Sequence, residues 1–172
     1  MEMMRSLDKI NKLIKATSGK AEVFVYYAGH GFPDEKTNEP YLIPVDVSGT
    51  DLSFGGIKLT DFYEYLTEFP AQKITVFLDA CFSGGAREQG LVAARGVRVK
   101  PKETPMQGKL IVFSASSGEQ SSLPYDEKKH GMFTYHLLKK LQETKGKLYY
   151  GDLGKYLKNE VSINSLLINE KE

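Results

Sequence analysis

Two short runs rich in β-branched and aromatic residues, about Ala21 to Ala28 and about Lys73 to Leu78, flank a stretch whose Leu59, Phe62, Tyr63 and Leu66 share one helical face. Strand, helix and strand in that order predict a right-handed parallel crossover within one sheet. Both strands then end at the same sheet edge. Each exit is built from small, turn-forming residues: Ala28-Gly-His30-Gly31 after the first run and Asp79-Ala-Cys81-Phe-Ser-Gly-Gly85 after the second. The only cysteine and one of the three histidines sit there. Reactive groups in parallel α/β sheets gather at the carboxyl ends of strands, and a thiol beside an imidazole is a candidate nucleophile and acid-base pair.

The remaining elements surround this unit. Leu7, Ile10, Leu13 and Ile14 predict a first helix, stopped at Thr17-Ser18-Gly19. Gly31 to Asn38 reads as a polar loop, and Tyr41 to Pro44 as an edge strand or extended arm. The crossover helix is expected to start at Thr60 or Asp61. After Cys81 a long irregular stretch leads to Gln107, and connections of that length are usually functional. Lys109 to Ser114 is a third buried strand, opening into a polar run to Ser122. Phe133, Leu137, Leu138 and Leu141 mark another helix face, and a last helix is expected from about Gly151 to Val161.

Composition excludes several functions. At 172 residues and 41% hydrophobic content, the chain can bury one full core. A formal charge of +1, with Lys and Arg mostly interspersed among acids, gives no nucleic-acid footprint. No apolar run approaches the ~18 residues of a membrane span, and the start has no apolar signal core. One cysteine allows no internal disulfide, which suits a reducing, cytoplasmic setting.

Competing chemistries fail on the motifs. A lone Cys at a strand end is ordinarily a small buried hydrophobe and a lone His ordinarily structural, but here small neighbours expose backbone amides around both. No CxxC, HxxxH or HExxH pattern exists, so no zinc site is expected. Asp79 stands where a hydrolase nucleophile elbow needs glycine.

Tyr27-Ala-Gly-His-Gly31 and Asp79-Ala-Cys-Phe-Ser-Gly84 resemble the catalytic-histidine and catalytic-cysteine motifs of the caspase-like cysteine proteases, in particular their metacaspase, paracaspase and bacterial branch. The separation of 51 residues from His30 to Cys81 agrees with a caspase histidine about 50 residues upstream of its cysteine. Phe113 to Ser122, followed by Gly131-Met-Phe-Thr-Tyr-His136, is similar to the family's segment after the cysteine. The resemblance implies a three-layer α/β caspase-like domain, its mainly parallel sheet flanked by helices. It implies that Cys81 attacks the peptide carbonyl as thiolate, that His30 protonates the leaving amine, and that the backbone amides of Gly31 and Cys81 hold the oxyanion.

Caspases proper carry Gln two residues before the cysteine; Asp79 there resembles metacaspase-like members and implies cutting after Arg or Lys, through a charge-assisted pair. The competing role for Asp79 is to cap the following turn. Ser114, Ala115 and Ser116 would offer backbone groups to an extended peptide substrate. Arg95 and Arg98, in a basic loop, are candidate sites of self-cleavage, since Lys100 precedes Pro101.

By this resemblance the chain is a single partial catalytic domain spanning 1–172, shortened at both ends: a large-subunit-like part about 1–85, a linker about 86–107 and a small-subunit-like part about 108–172. No cofactor is expected. If calcium binds, Asp46, Asp51 and Asp61 are the oxygen ligands to consider; the adjacent Asp pair of calcium-dependent members is missing, and these acids otherwise read as solvated loop and cap residues. Neither nucleic acid nor membrane is an expected partner, and the sequence leaves oligomeric state open. The alternative to a protease is a non-proteolytic interaction module of the same fold.

Overall fold

A computed structural model describes residues 2–34, 36–47, 55–82, 109–115, 124–125 and 128–169. The chain divides into two compact units, Met1–Ser121 and Ser122–Glu172.

The first unit is organised by a parallel sheet of β1 (Glu22–Ala28), β5 (Lys73–Asp79) and β6 (Leu110–Ser114), in the order β1-β5-β6. Between β1 and β5 the chain forms β2 (His30–Pro33), β3 (Pro40–Ile43), β4 (Ile57–Lys58) and the crossover helix α2 (Leu59–Thr67); α1 (Glu2–Ala16) precedes β1. β5 is central and buried on both faces, as expected for an apolar run in a parallel sheet. Alternate residues of β1 face the core, where Val23, Val25 and Tyr27 join Ile74, Val76 and Leu78. Leu59, Phe62, Tyr63 and Leu66 of α2 are all buried, so the expected helical face is the observed one.

Three local expectations are corrected. The buried stripe of α1 is Leu7, Asn11 and Ile14, while Leu13 is exposed; at 100° per residue Leu13 falls well off the 7/11/14 line. Asn11 stays inside because its Nδ2 donates to Glu68 Oε2 at 2.6 Å, tying α1 to the end of α2. α2 begins one residue before Thr60, with Lys58 as the flanking residue and no side-chain cap.

The third correction matters more. Residues 31–33, expected to open a polar loop, belong with His30 to β2, which pairs antiparallel with β3, itself paired with β4. The polar connection begins at Asp34. There Asp34 Oδ1 accepts from the Lys36 and Thr37 amides at 3.0 and 2.8 Å and from Thr37 Oγ1 at 2.9 Å. These bonds, the Thr37 amide foremost, hold the Asp34 carboxyl below its ordinary range.

The second unit holds a two-stranded ladder of β7 (Pro124–Tyr125) and β8 (His130–Gly131), then α3 (Met132–Thr144) and α4 (Tyr150–Asn169). On α3, Phe133 and Leu137 are buried as expected, but Leu138 is exposed and Thr134 and His136 are buried instead. α4 continues to Asn169, eight residues beyond the expected Val161.

His136 is an unusual core residue: only 3% exposed, with neither ring nitrogen hydrogen-bonded. Its Nδ1 lies 3.8 Å from Glu160 Oε2, and the rings of Tyr125, Tyr135 and Tyr156 pack around it. Burial pulls its pKa below the ordinary histidine value and Lys139 adds to this, against the opposing pull of Glu160. The unfolded chain therefore takes up this proton first as pH falls, so the stability that His136 allows is complete above about pH 6.5 and is lost on acidification below it. Thermal melting should fall between pH 7.5 and pH 5.5, and His136→Phe should flatten that fall; an equally steep fall in the variant would assign the effect to other groups.

Candidate active site

The β1–β5 ladder brings the two strand exits into register. Every pair in it joins a residue to the one 51 positions later, from Glu22 with Lys73 to Ala28 with Asp79. Cys81 follows His30 by the same 51 residues. The two therefore leave the sheet edge in step, each two residues past the last pair. One more contact extends the match, the Gly29 amide donating to the Asp79 carbonyl at 3.2 Å. Beyond it the chains part. β2 turns into its antiparallel sheet, where His30 pairs with Ile43 and Gly31 with Leu42.

Gly31 is fixed in type by space. A Cβ there would stand 2.6 Å from the Cys81 carbonyl oxygen and 2.6 Å from the Phe82 ring, closer than any side chain tolerates. Only glycine lets β2 run against the backbone at Cys81. His30 itself is exposed, whereas Cys81 is 6% exposed and its thiol is in no disulfide. An accessible imidazole and a confined thiol thus flank one backbone contact at the carboxyl edge of a parallel sheet, where this fold class places its chemistry.

A family model of the caspase domain, peptidase C14, matches residues 1–171. The chain belongs to the caspase domain family. Caspase-domain proteins of this class are cysteine peptidases acting on proteins or peptides, and the three-layer α/β fold with a mainly parallel sheet flanked by helices is theirs and this chain's. No curated protein matches the sequence.

Within this caspase domain the other expected site residues divide. Asp79 ends β5 and is 1% exposed, two residues before Cys81. Ser114 ends β6 and is exposed. The Ala115 amide donates to the Leu78 carbonyl at 2.8 Å, so that donor is committed to the sheet rather than to a peptide. Asp46 is exposed in the turn after β3, and Asp61 is exposed in the first turn of α2. Ser116, Asp51, Arg95 and Arg98 lie outside the described residues. Among the described residues no three His, Cys, Asp or Glu side chains cluster as a metal would need, and no helix is long and apolar enough to cross a membrane.

One residue of the site escapes sequence reasoning. Tyr27 alternates correctly as a core-facing strand residue, and nothing in that pattern announces that its phenol reaches backbone two elements away. Its hydroxyl lies 2.7 Å from the His30 carbonyl oxygen and 3.0 Å from that of Ile43. The only hint is the glycine two residues later: a Cβ on Gly29 would meet that hydroxyl at 2.8 Å.

Proposed function

We propose that this caspase domain is an endopeptidase that cuts after Arg or Lys, with Cys81 as nucleophile and His30 as acid-base partner. The observation that carries the reading is the shared 51-residue offset, which sends both residues off one sheet edge side by side. Cys81 Sγ attacks the scissile carbonyl carbon as thiolate, and the carbonyl oxygen takes up the charge. The backbone amides of Gly31 and Cys81 hold that oxyanion, and the close approach permitted by Gly31 supports the assignment. His30 gives its proton to the leaving amine, freeing it and leaving a thioester. It then takes a proton from water as the water oxygen attacks the thioester carbon; the C–S bond breaks, the acid leaves, and the proton on His30 returns to the Cys81 sulfur. Asp79, buried two residues before the nucleophile, would face the basic side chain of the substrate. The exposed end of β6 at Ser114, with the Ala115 carbonyl and Ser116 after it, would receive the extended peptide along the sheet edge, the Ala115 amide being taken by Leu78.

No cofactor enters these steps. Incubation with a fluorogenic peptide ending in Arg, with and without calcium, tests the reading. Release of the fluorophore in both conditions is the expected result. Full dependence on calcium would bring Asp46, Asp51 and Asp61 into the mechanism. No release in either condition, for Arg or Lys peptides, would favour the non-proteolytic module.

The same specificity makes the chain a substrate for itself. Between Ala86 and Lys102 it carries Arg87, Arg95, Arg98, Lys100 and Lys102 against the single acid Glu88. Cleavage after Arg95 or Arg98 would separate a large-subunit-like part, about 1–85, from a small-subunit-like part, about 108–172. Mass spectrometry of purified protein should find two fragments that copurify, while Cys81→Ala stays whole. An intact wild type that still cleaves peptides would remove the loop from the list of substrates.

A further inference from the structure

Between β1 and the small antiparallel sheet, one side chain ties together the two backbone segments that locate His30. The Tyr27 hydroxyl shares its proton between the carbonyl oxygens of His30, at 2.7 Å, and Ile43, at 3.0 Å, and those two residues are direct partners across β2 and β3. The ring is half-buried against the core cluster, so the hydroxyl has a fixed origin. Burial also pushes its pKa up to about 12, which keeps it a donor at neutral pH. Gly29 makes the reach possible, because the phenol passes where its Cβ would be: 2.8 Å from the hydroxyl and 2.9 Å from the ring carbon that bears it.

We propose that Tyr27 is the positioning residue for His30, its phenol pinning the His30 carbonyl over the space left by Gly29. The proposal rests on His30 being the acid-base partner of Cys81. Without the pin, the His30 carbonyl loses its side-chain partner, and His30 is left to the anchors of its neighbours Gly29 and Gly31 and to its place in β2, a four-residue strand at the rim of a sheet of short strands. The imidazole then samples positions that do not serve the thiol. Misplacement of a reacting group by about 1 Å can cost on the order of 100-fold in rate. Substrate binding, carried by other residues, is not affected.

Tyr27→Phe removes the hydroxyl alone. It should lower kcat on an Arg-ended peptide by about 10- to 100-fold with KM within about twofold. Gly29→Ala should do the same, since the methyl group displaces the phenol. In the double variant the two losses should not add, because each breaks the same contact.

A second readout does not need turnover. The rate of Cys81 alkylation by iodoacetamide, followed against pH, should show a limb that disappears in His30→Ala, and Tyr27→Phe should shift or broaden that limb while the melting temperature stays close to wild type. If His30→Ala changes the alkylation profile and kcat but Tyr27→Phe changes neither, the positioning role is overturned while the dyad stands. If His30→Ala leaves the alkylation profile unchanged, the dyad reading fails and this proposal with it. Should Tyr27→Phe lose its fold, Gly29→Ala decides the matter by the same two measurements.

Discussion

Replacing Cys81 by Ala, or His30 by Ala, should cut turnover of an Arg-ended peptide by about 10⁴-fold or more while leaving a folded protein. The two side chains serve one proton-transfer and bond-forming sequence, so losing either removes most of what both supply. The double variant should therefore be little worse than either single one. Stability is expected to hold for separate reasons. His30 is exposed, and truncating an exposed side chain ordinarily shifts stability by less than about 0.5 kcal/mol. Cys81 is buried but small, and alanine deletes a single heavy atom from its site. Steady-state kinetics beside a melting curve separate the two effects. Appreciable turnover by Cys81→Ala, free of contaminating protease, would end the assignment of the nucleophile.

The second large effect concerns selectivity. Asp79→Asn keeps the shape of the side chain and removes its charge at a position only 1% exposed. An arginine entering beside it would lose its anionic partner inside the site, and an unpaired buried charge costs about 3 to 5 kcal/mol. The value of kcat/KM for Arg and Lys substrates should therefore fall by at least about two powers of ten. No preference for acidic residues should appear, since asparagine supplies no positive charge. A library of peptides varied at the residue before the cut measures this directly. Unchanged preference for basic residues would return Asp79 to the humbler task of holding the turn before Cys81.

What the sequence could reveal follows from how local each signal is. The parallel pairing of β1 with β5 was legible because the crossover helix advertises itself through Leu59, Phe62, Tyr63 and Leu66, and pairing fixes where His30 and Cys81 come out. β2 was not legible. Its four residues, His30 to Pro33, contain a glycine and a proline, and they are a strand only because Pro40–Ile43 comes to lie against them. Leu13 and Leu138 misled for a simpler reason: each is apolar, but exposed in the helix that carries it. Asn11 and His136 are the converse, polar residues taken inside, where Asn11 finds a partner in Glu68 that adjacent sequence does not disclose. Tyr27 combines both difficulties, being an ordinary strand residue whose hydroxyl matters only once β3 is in place.

Between Gly29 and His30 the chain changes allegiance. Gly29 makes its hydrogen bond to Asp79 of the parallel sheet, whereas His30 already belongs to the antiparallel pair with Ile43. The imidazole and the thiol are thus anchored in substructures of unequal strength, Cys81 following a seven-residue central strand and His30 riding on strands of four, four and two residues. Proteins open in contiguous parts, and weakly buried, short elements open first. β3 is held in the core by buried Pro40, Leu42 and Ile43, whereas β2 lies at the rim and is buried only at Pro33, so a fluctuation that releases β2 would carry His30 away with the large sheet still whole. Local opening of β2, at a free energy below that of unfolding the domain, would then limit the lifetime of the pair, and amide exchange along β2 is where that ceiling would be read.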